Sequence, residues 1–186
     1  IDSVEPFAEE LVDRLYVFFA GRLKQRLVEM LGTRPDIVEA VLEVGFDDMY
    51  LARLRLEALC EFMERPGFED LAVAFKRVSS ILKDFDDGGE PDTEMFELEE
   101  ERALYGTMQE LKPQVDRLME QARYLDCLEL LGSRLRGPVD RFFDKVLVND
   151  PQNPEQTRNR KRLLRKVESL FVRLADFGRL RTSGKL

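Results

Sequence analysis

Carboxylate side chains are the most abundant groups in this sequence that could take part in catalysis. They occur in close pairs at Asp47/Asp48 and Asp140/Asp144 and in the glutamate run 99–101. General acid–base catalysis requires two carboxylates in different, enclosed environments, together with groups that position a substrate. These carboxylates lie in strongly charged stretches, which we expect to be exposed. They therefore predict no active site within the chain.

Other catalytic and metal-binding signatures are missing from the sequence. It contains no histidine, which excludes histidine-based triads, cysteine–histidine dyads and histidine metal sites. Glycine-rich phosphate loops, GxSxG elbows and CxxC pairs are also absent. The stretch 84–92 does not fit a calcium loop, because Gly88 stands at the third carboxylate position and Met95 at that of the bidentate glutamate. We expect no metal or cofactor in this segment.

Bulk features indicate a folded cytoplasmic protein. The 186 residues are 44% hydrophobic and 35% charged, which predicts an apolar core under a highly charged surface. Cys60 and Cys127 lie far apart in helical patterns, so we interpret them as buried hydrophobic residues of a protein from a reducing compartment. No apolar run is long enough to predict a membrane span. The start at isoleucine indicates a fragment of a longer chain.

Basic residues are concentrated in the last third of the sequence. From Gly132 to the end there are 14 Lys/Arg and 6 Asp/Glu, whereas the preceding 131 residues hold 15 Lys/Arg and 31 Asp/Glu. The net charge of −8 therefore hides a basic region attached to an acidic body. A sharply basic last third on an acidic body is an asymmetry that any assignment of function has to explain.

The last predicted helix carries most of these cations on one side. At about 100° per residue, five further basic residues lie within about 80° of Arg158, while Leu163, Val167, Leu170 and Phe171 lie opposite. We expect a continuous cationic ridge facing outward, which would suit an RNA backbone. From charge alone, a solvated face paired with acidic residues of the body is an open alternative. The ridge consists of Arg158, Lys161, Arg162, Arg165, Lys166 and Arg173, and Arg179, Arg181 and Lys185 extend it into the tail.

A second candidate surface lies on the predicted helix that contains Ala74–Leu82. Its apolar residues recur at helical spacing and leave Lys76, Arg77, Ser79, Ser80 and Lys83 on the outer side. Cations and hydroxyls together can contact phosphates and sugars of a nucleic acid. Ordinary surface decoration explains the same pattern equally well.

Helical periodicity extends through almost the whole chain and predicts an all-α bundle of about seven to eight helices. We call residues 84–92 the acidic segment. This segment lacks periodicity, which predicts an exposed linker. The linker would join two helical halves, 1–83 and 93–178, and a basic tail would follow at 179–186. Gly137-Pro138 predicts a helix end and a new start, and Asn153, Pro154 and Gln156 predict a capping box. The predicted helices are about 6–31, 37–44, 47–62, 68–83, 93–121, 124–135, one from Pro138, and 154–174.

Four motifs resemble the closing region of the bacterial glycyl-tRNA synthetase (glycine–tRNA ligase) beta subunit. They are AFKRVSSIL at 74–82, PVDRFFDKVLVND at 138–150, RNRKRLL at 158–164 and LADFGRL at 174–180. Their order and spacing match that region, and the resemblance covers residues 18–180. It implies a DALR-like anticodon-binding domain that is all-helical.

The resemblance also implies a division of labour within an aminoacyl-tRNA synthetase. A catalytic alpha subunit, or the alpha part of a fused chain, uses ATP to activate glycine, and the beta part binds glycine tRNA. This segment would then be non-catalytic, without a cofactor of its own, and would bind neither membrane nor DNA. A protein-interaction bundle that contacts other synthetase subunits is the alternative, and an independent enzyme is disfavoured by the missing motifs. The residues expected to bind RNA are Lys76, Arg77, Lys83, Arg158, Lys161, Arg162, Arg165, Lys166 and Arg173.

Overall fold

A computed structural model describes residues 5–66 and 68–181, without the side chains of residues 5–10, 12, 13, 16 and 70. This part of the chain contains seven α-helices and no strand, which confirms the all-α prediction. Two single-turn 3-10 helices lie at Thr93–Met95 and Phe177–Arg179. The α-helices are α1 (Glu5–Leu31), α2 (Pro35–Glu43), α3 (Met49–Met63), α4 (Phe68–Leu82), α5 (Glu99–Glu120), α6 (Tyr124–Lys145) and α7 (Pro154–Ser169).

Helix α6 is the centre of the bundle and packs against α3, α4 and α5. The predicted break at Gly137-Pro138 is wrong, because α6 continues through both residues. Proline in a helix interior removes one hydrogen bond and crowds the preceding turn. Here Leu135 and Val139, on either side of the proline, are both fully buried, and tertiary packing of this stripe outweighs the local cost. The full stripe comprises Leu128, Leu131, Leu135, Val139 and Phe142.

Helix α5 begins six residues later than the periodicity predicts. The chain first forms the 3-10 turn Thr93–Met95, and α5 starts only at Glu99. The carboxylate of Glu101 accepts hydrogen bonds from the backbone N–H groups of Glu97 and Leu98, at 3.0 and 2.8 Å. This interaction satisfies donors at the helix N-terminus and fixes where α5 begins.

The start of α7 is as predicted except for one side chain. Asn153 is the N-cap, its side chain accepts from the backbone N–H of Gln156 at 3.2 Å, and Pro154 is the first helical residue. The Gln156 side chain does not complete a capping box. It is buried and donates instead to the carbonyl of Met95 at 2.8 Å, which ties α7 to the turn before α5.

The end of the described chain folds back onto the first half of the molecule. The ring of Phe171 lies 5.5 Å from that of Phe177, and Phe177 lies 5.9 Å from Phe75 of α4. The backbone N–H of Asp176 donates to the carbonyl of Ala40 in α2 at 2.8 Å. The division into halves 1–83 and 93–178 stays a prediction, and α4 packs directly on α6 and α7. No helix in the described part of the chain has the length and apolar character needed to cross a bilayer.

Candidate nucleic-acid interface

Helix α4 presents a short row of cations on the side that faces away from the core. Its inner side is fixed by Leu71, Phe75 and Val78, which are fully buried. Lys76 is exposed on the opposite side, and Lys83 is exposed in the turn directly after α4. Among the described side chains, no carboxylate lies within ion-pair distance of either lysine. These two ammonium groups are therefore available to an anion from solution.

Arg77 and Ser80 complete this surface, and Ser79 does not belong to it. The guanidinium carbon of Arg77 lies 4.3 Å above the ring centroid of Phe143 in α6, a cation–π contact that restrains an exposed side chain. Ser80 is exposed, whereas Ser79 is half-buried and donates to the carboxylate of Glu168 in α7 at 3.0 Å. We define the α4 outer face as Lys76, Arg77, Ser80 and Lys83.

The cations of α7 do not form the open ridge that the helical spacing predicts. The acidic segment lies along them. Arg158 and Arg162 both donate to Oδ2 of Asp87, and Nη2 of Arg162 lies 3.0 Å from that oxygen. Lys166 pairs with Glu90. Five of the nine residues of the acidic segment are exposed, whereas the Asp87 side chain is only 16% exposed, and the role of the segment as a linker stays a prediction. The alternative of paired charges describes this helix better.

Electrostatics reinforce this contact. Hydrogen bonds from Arg162, from the backbone N–H of Gly89 and from Arg158 hold the pKa of Asp87 well below its ordinary range. The carboxylate is therefore ionised at every pH at which the protein is expected to work. Asp87 and Glu90 thus place two negative charges against the three cations Arg158, Arg162 and Lys166. The positive charge of this part of α7 is largely offset.

Arg165 and Lys161 are held by the residues that follow α4. Arg165 donates to the carbonyls of Leu82, at 3.2 Å, and Phe85, and so satisfies acceptors at the end of α4. Its Nη1 also lies 2.6 Å from Oε2 of Glu168. The ammonium of Lys161 lies 5.7 Å from the ring centroid of Phe85. The structure thus gives Arg165 a role in joining α4 to α7, and the RNA-binding role of both residues stays a prediction.

Arg173 does not lie on the basic side of α7, because the helix ends at Ser169 rather than continuing to Leu174. The chain then forms tight turns, with the N–H of Leu174 donating to the carbonyl of Phe171 at 2.8 Å, so that both apolar side chains reach the core. Arg173 pairs with Asp116 of α5. In the predicted tail, Arg179 pairs with Glu43 at 2.8 Å, Arg181 is exposed, and Lys185 lies outside the described residues.

Arg160 is buried, which was not predicted from the sequence. It lies on the apolar side of α7, where its Nε is 3.0 Å from Oε1 of Glu101 and its Nη2 is 3.1 Å from Oε2 of Glu97. The helical spacing contained the signal, since at about 100° per residue Arg160 falls among Leu163 and Val167. A cation at that angle must find a carboxylate partner in the core.

The carboxylates and cysteines that the sequence offered for catalysis take part in helix capping, ion pairing or packing. The expectation that all the carboxylates are exposed is wrong for Glu101, which is 0% exposed and paired with Arg160. Asp48 is exposed and caps α3, accepting from two backbone N–H groups at 2.9 and 3.0 Å. Burial raises the pKa of the Cys127 thiol to about 11, so this residue is a packing element, while Cys60 is half-buried.

Both basic surfaces fall within one recognised kind of domain. A family model described as the DALR anticodon binding domain matches residues 71–175, a span that contains the α4 outer face, the acidic segment and all of α7. Because the match covers more than half of the chain, the protein belongs to this family.

Similarity to individual proteins confirms the resemblance to glycine–tRNA ligase beta subunits that the four motifs predicted. The chain is 39% identical over 176 residues to the glycine–tRNA ligase beta subunit of Syntrophus aciditrophicus, covering 94% of this chain and 25% of that protein. The beta subunits of Geotalea daltonii and Myxococcus xanthus are each 38% identical over 172 residues, covering 92% and 90% of this chain and 24% of each relative. The chain therefore spans about a quarter of the length of the curated relatives it matches.

Proposed function

We propose that this chain is the tRNA-binding module of a glycine–tRNA ligase and that it holds the anticodon region of glycine tRNA. The observation that carries the proposal is the α4 outer face, whose cations lie inside the family match and have no carboxylate partner among the described side chains. Each phosphate that meets such a cation releases counterions, which favours binding. Cations already paired within the protein gain less from the same contact.

The residues of the α4 outer face have distinct roles in this proposal. Lys76 lies in α4 and Lys83 lies seven residues further on, in the turn directly after the helix, so that the two contact separate phosphates. Arg77 already rests on the ring of Phe143 with one face, so its other face is available to stack on an unpaired base. Arg158, whose side chain retains 62% of its exposure, can add a peripheral contact without leaving Asp87.

The proposal assigns the chemistry of aminoacylation to other parts of the synthetase. Activation of glycine with ATP belongs to a catalytic alpha subunit or to the alpha part of a fused chain, and this segment contributes binding without a cofactor. The similarity to proteins described as beta subunits of a ligase supports this division. The expected location is the cytoplasm, where tRNA charging takes place.

The test is a double substitution on the α4 outer face. Lys76→Ala with Lys83→Ala removes two open cations and leaves the buried side of α4 unchanged. We expect the affinity for glycine tRNA to fall by about tenfold or more at low salt, and the slope of log K against log salt to decrease by about two. Fluorescence anisotropy of labelled tRNA across a salt series measures both quantities.

A matched control distinguishes the effect of the α4 outer face on tRNA binding from the effect of a lower net charge. Arg26→Ala with Arg117→Ala removes two exposed cations from α1 and α5 and changes the net charge by the same amount. We expect this variant to bind nearly as the parent does. Equal loss in the two variants, or no loss in the first, would show that α4 does not form the interface.

A second function, contact with another synthetase subunit, is favoured by the surface of α1. This helix packs mainly on α2 and leaves large apolar side chains in solvent, including Phe18 and Phe19, the latter 60% exposed. Soluble monomers rarely expose such clusters without a partner. Phe18→Ser with Phe19→Ser should abolish co-elution with the catalytic subunit if α1 is that contact. Co-elution that survives the substitution, with tRNA binding lost in the α4 variant, leaves RNA binding as the function of this chain.

A further inference from the structure

Two arginines of α7 converge on a single carboxylate of the acidic segment. Arg158 and Arg162 lie one turn apart, and both direct their guanidinium groups at Oδ2 of Asp87. The second oxygen of Asp87 accepts from the backbone N–H of Gly89 at 2.9 Å. A Cβ atom at Gly89 would lie 2.9 Å from Nε of Arg162, so a larger residue there would displace the Arg162 side chain. The arrangement is an anion-binding fork filled by the protein's own carboxylate.

The ends of the acidic segment are fixed by contacts of a different kind. At one end Arg165 donates to the backbone carbonyls of Leu82 and Phe85. At the other, Asn159 exchanges two hydrogen bonds with the backbone of Asp92, at 2.7 and 2.9 Å. These anchors are neutral acceptors and donors of the main chain. The middle of the segment, by contrast, is attached to α7 through the carboxylates of Asp87 and Glu90.

We propose that the acidic segment is an internal competitor of RNA for α7. Asp87 and Glu90 occupy the positions on Arg158, Arg162 and Lys166 that backbone phosphates would take, since guanidinium groups bind carboxylate and phosphate oxygens with the same geometry. The α4 outer face is then open at all times, whereas α7, apart from a peripheral contact at the exposed Arg158, binds an RNA only when the middle of the segment is displaced between its fixed ends. This inference rests on the proposed RNA-binding function.

Competition of this kind makes α7 selective. A polyanion that meets the protein at random finds Arg158, Arg162 and Lys166 already paired with carboxylates and gains little from them. An RNA already held on the α4 outer face brings its phosphates beside the segment at high local concentration, where they can replace its carboxylates. The acidic segment therefore discriminates against nucleic acids that do not also engage α4.

The test neutralises the two competing carboxylates. Asp87→Asn with Glu90→Gln frees three cations while preserving the side-chain volumes. We expect the chain to bind a single-stranded oligouridylate about tenfold or more tightly at about 50 mM salt, with a slope of log K against log salt steeper by about two. Glu90→Gln alone keeps the test valid if the double variant unfolds, because Glu90 is largely exposed, and it should steepen the slope by less than one.

The acidic segment supplies its own matched control. Asp84→Asn with Asp86→Asn makes the same change in net charge at two exposed carboxylates for which no cationic partner is found among the described side chains. We expect the slope for oligouridylate to stay at the parent's value in this variant. Equal gains in the two double variants would overturn the competitor and leave general electrostatic attraction as the cause.

The outcome is distinguishable from failure of the proposed function. Suppose Asp87→Asn with Glu90→Gln steepens the slope while Lys76→Ala with Lys83→Ala leaves glycine tRNA binding intact. This result would support competition by the acidic segment and contradict tRNA binding by the α4 outer face. Suppose the lysine variant loses tRNA while the two acidic-segment variants behave alike. The α4 interface then stands, and the competitor is overturned. Absence of RNA binding by every variant at low salt overturns both.

Discussion

Arg160 and Glu101 form the most deeply buried ion pair in the described part of the chain, with side chains 6% and 0% exposed. Glu101 also accepts from the backbone at the start of α5, and Arg160 donates to the carbonyl of Leu147 at 3.1 Å. One pair of residues thus joins α7, the N-terminus of α5 and the chain that follows α6. Charges removed from water this completely depend on each other, because each is the other's main compensation.

Glu101→Gln should therefore destabilise the protein by about 3 kcal/mol, because it leaves the guanidinium of Arg160 buried without its main counter-charge. Urea unfolding at neutral pH measures the change. Glu110→Gln is the control, since it breaks the exposed pair with Arg134, 3.0 Å apart, and should cost less than about 1 kcal/mol. Similar decreases in the free energy of unfolding of the two variants would contradict the claim that burial makes the Arg160–Glu101 pair more important for stability.

At the scale of elements, two helical glycines differ in what surrounds them. A Cβ at Gly106 in α5 meets nothing within 4 Å, whereas at Gly132 in α6 it would lie 2.9 Å from the ring of Phe62. Gly106→Ala should stabilise the protein by about 1 kcal/mol through helix propensity. Gly132→Ala should destabilise it by about 1–3 kcal/mol, because Phe62 is buried against Phe68 and cannot move freely. Thermal unfolding of both variants tests the pair, and a stabilised Gly132→Ala variant would refute the packing argument.

The helices were predictable because each depends on a local pattern of apolar residues. The boundaries that failed depend on distant partners. Pro138 stays inside α6 because buried residues on both sides of it pack on other helices, and Gln156 leaves its capping position for the carbonyl of Met95. Neither partner is visible from residues three or four positions away, which is the range over which helix signals operate.

The candidate site was predicted in part for a similar reason. Helical spacing separates the outer and buried sides of α4 and α7, except at Ser79, which is half-buried, and at Arg173, which lies beyond the end of α7. It carries no information about which carboxylate will lie against an exposed arginine, so the pairing of Arg162 with Asp87, 75 residues away, was not predicted. The charge asymmetry of the sequence indicated a basic surface, and the acidic segment that covers it was the part of the chain without periodicity.

At the scale of the whole molecule, Asp36 joins the start of α2 to the end of the described chain. Its carboxylate accepts from Nε of Arg34 at 3.0 Å and from the backbone N–H of Arg181 at 2.7 Å, and the side chain is nearly buried. Arg34 in turn donates to the carbonyl of Arg181 at 2.6 Å. This cluster and the contact between Asp176 and Ala40 hold the last residues of the bundle against its first half.

Asp36 therefore links the closure of the bundle to pH. The hydrogen bond from Arg34, and then that from the backbone of Arg181, lower its pKa to about 2. A lowered pKa stabilises the folded state above the unfolded-state pKa near 4, and this stabilisation is lost as pH falls from about 4 to about 2. Asp36→Asn should cost about 2 kcal/mol at pH 7 and little below about pH 2.5, measured by urea unfolding across that range. Asp126→Asn, at the exposed pair with Arg123, should cost less than about 1 kcal/mol throughout, and a cost for Asp36→Asn that does not change with pH would exclude the linkage.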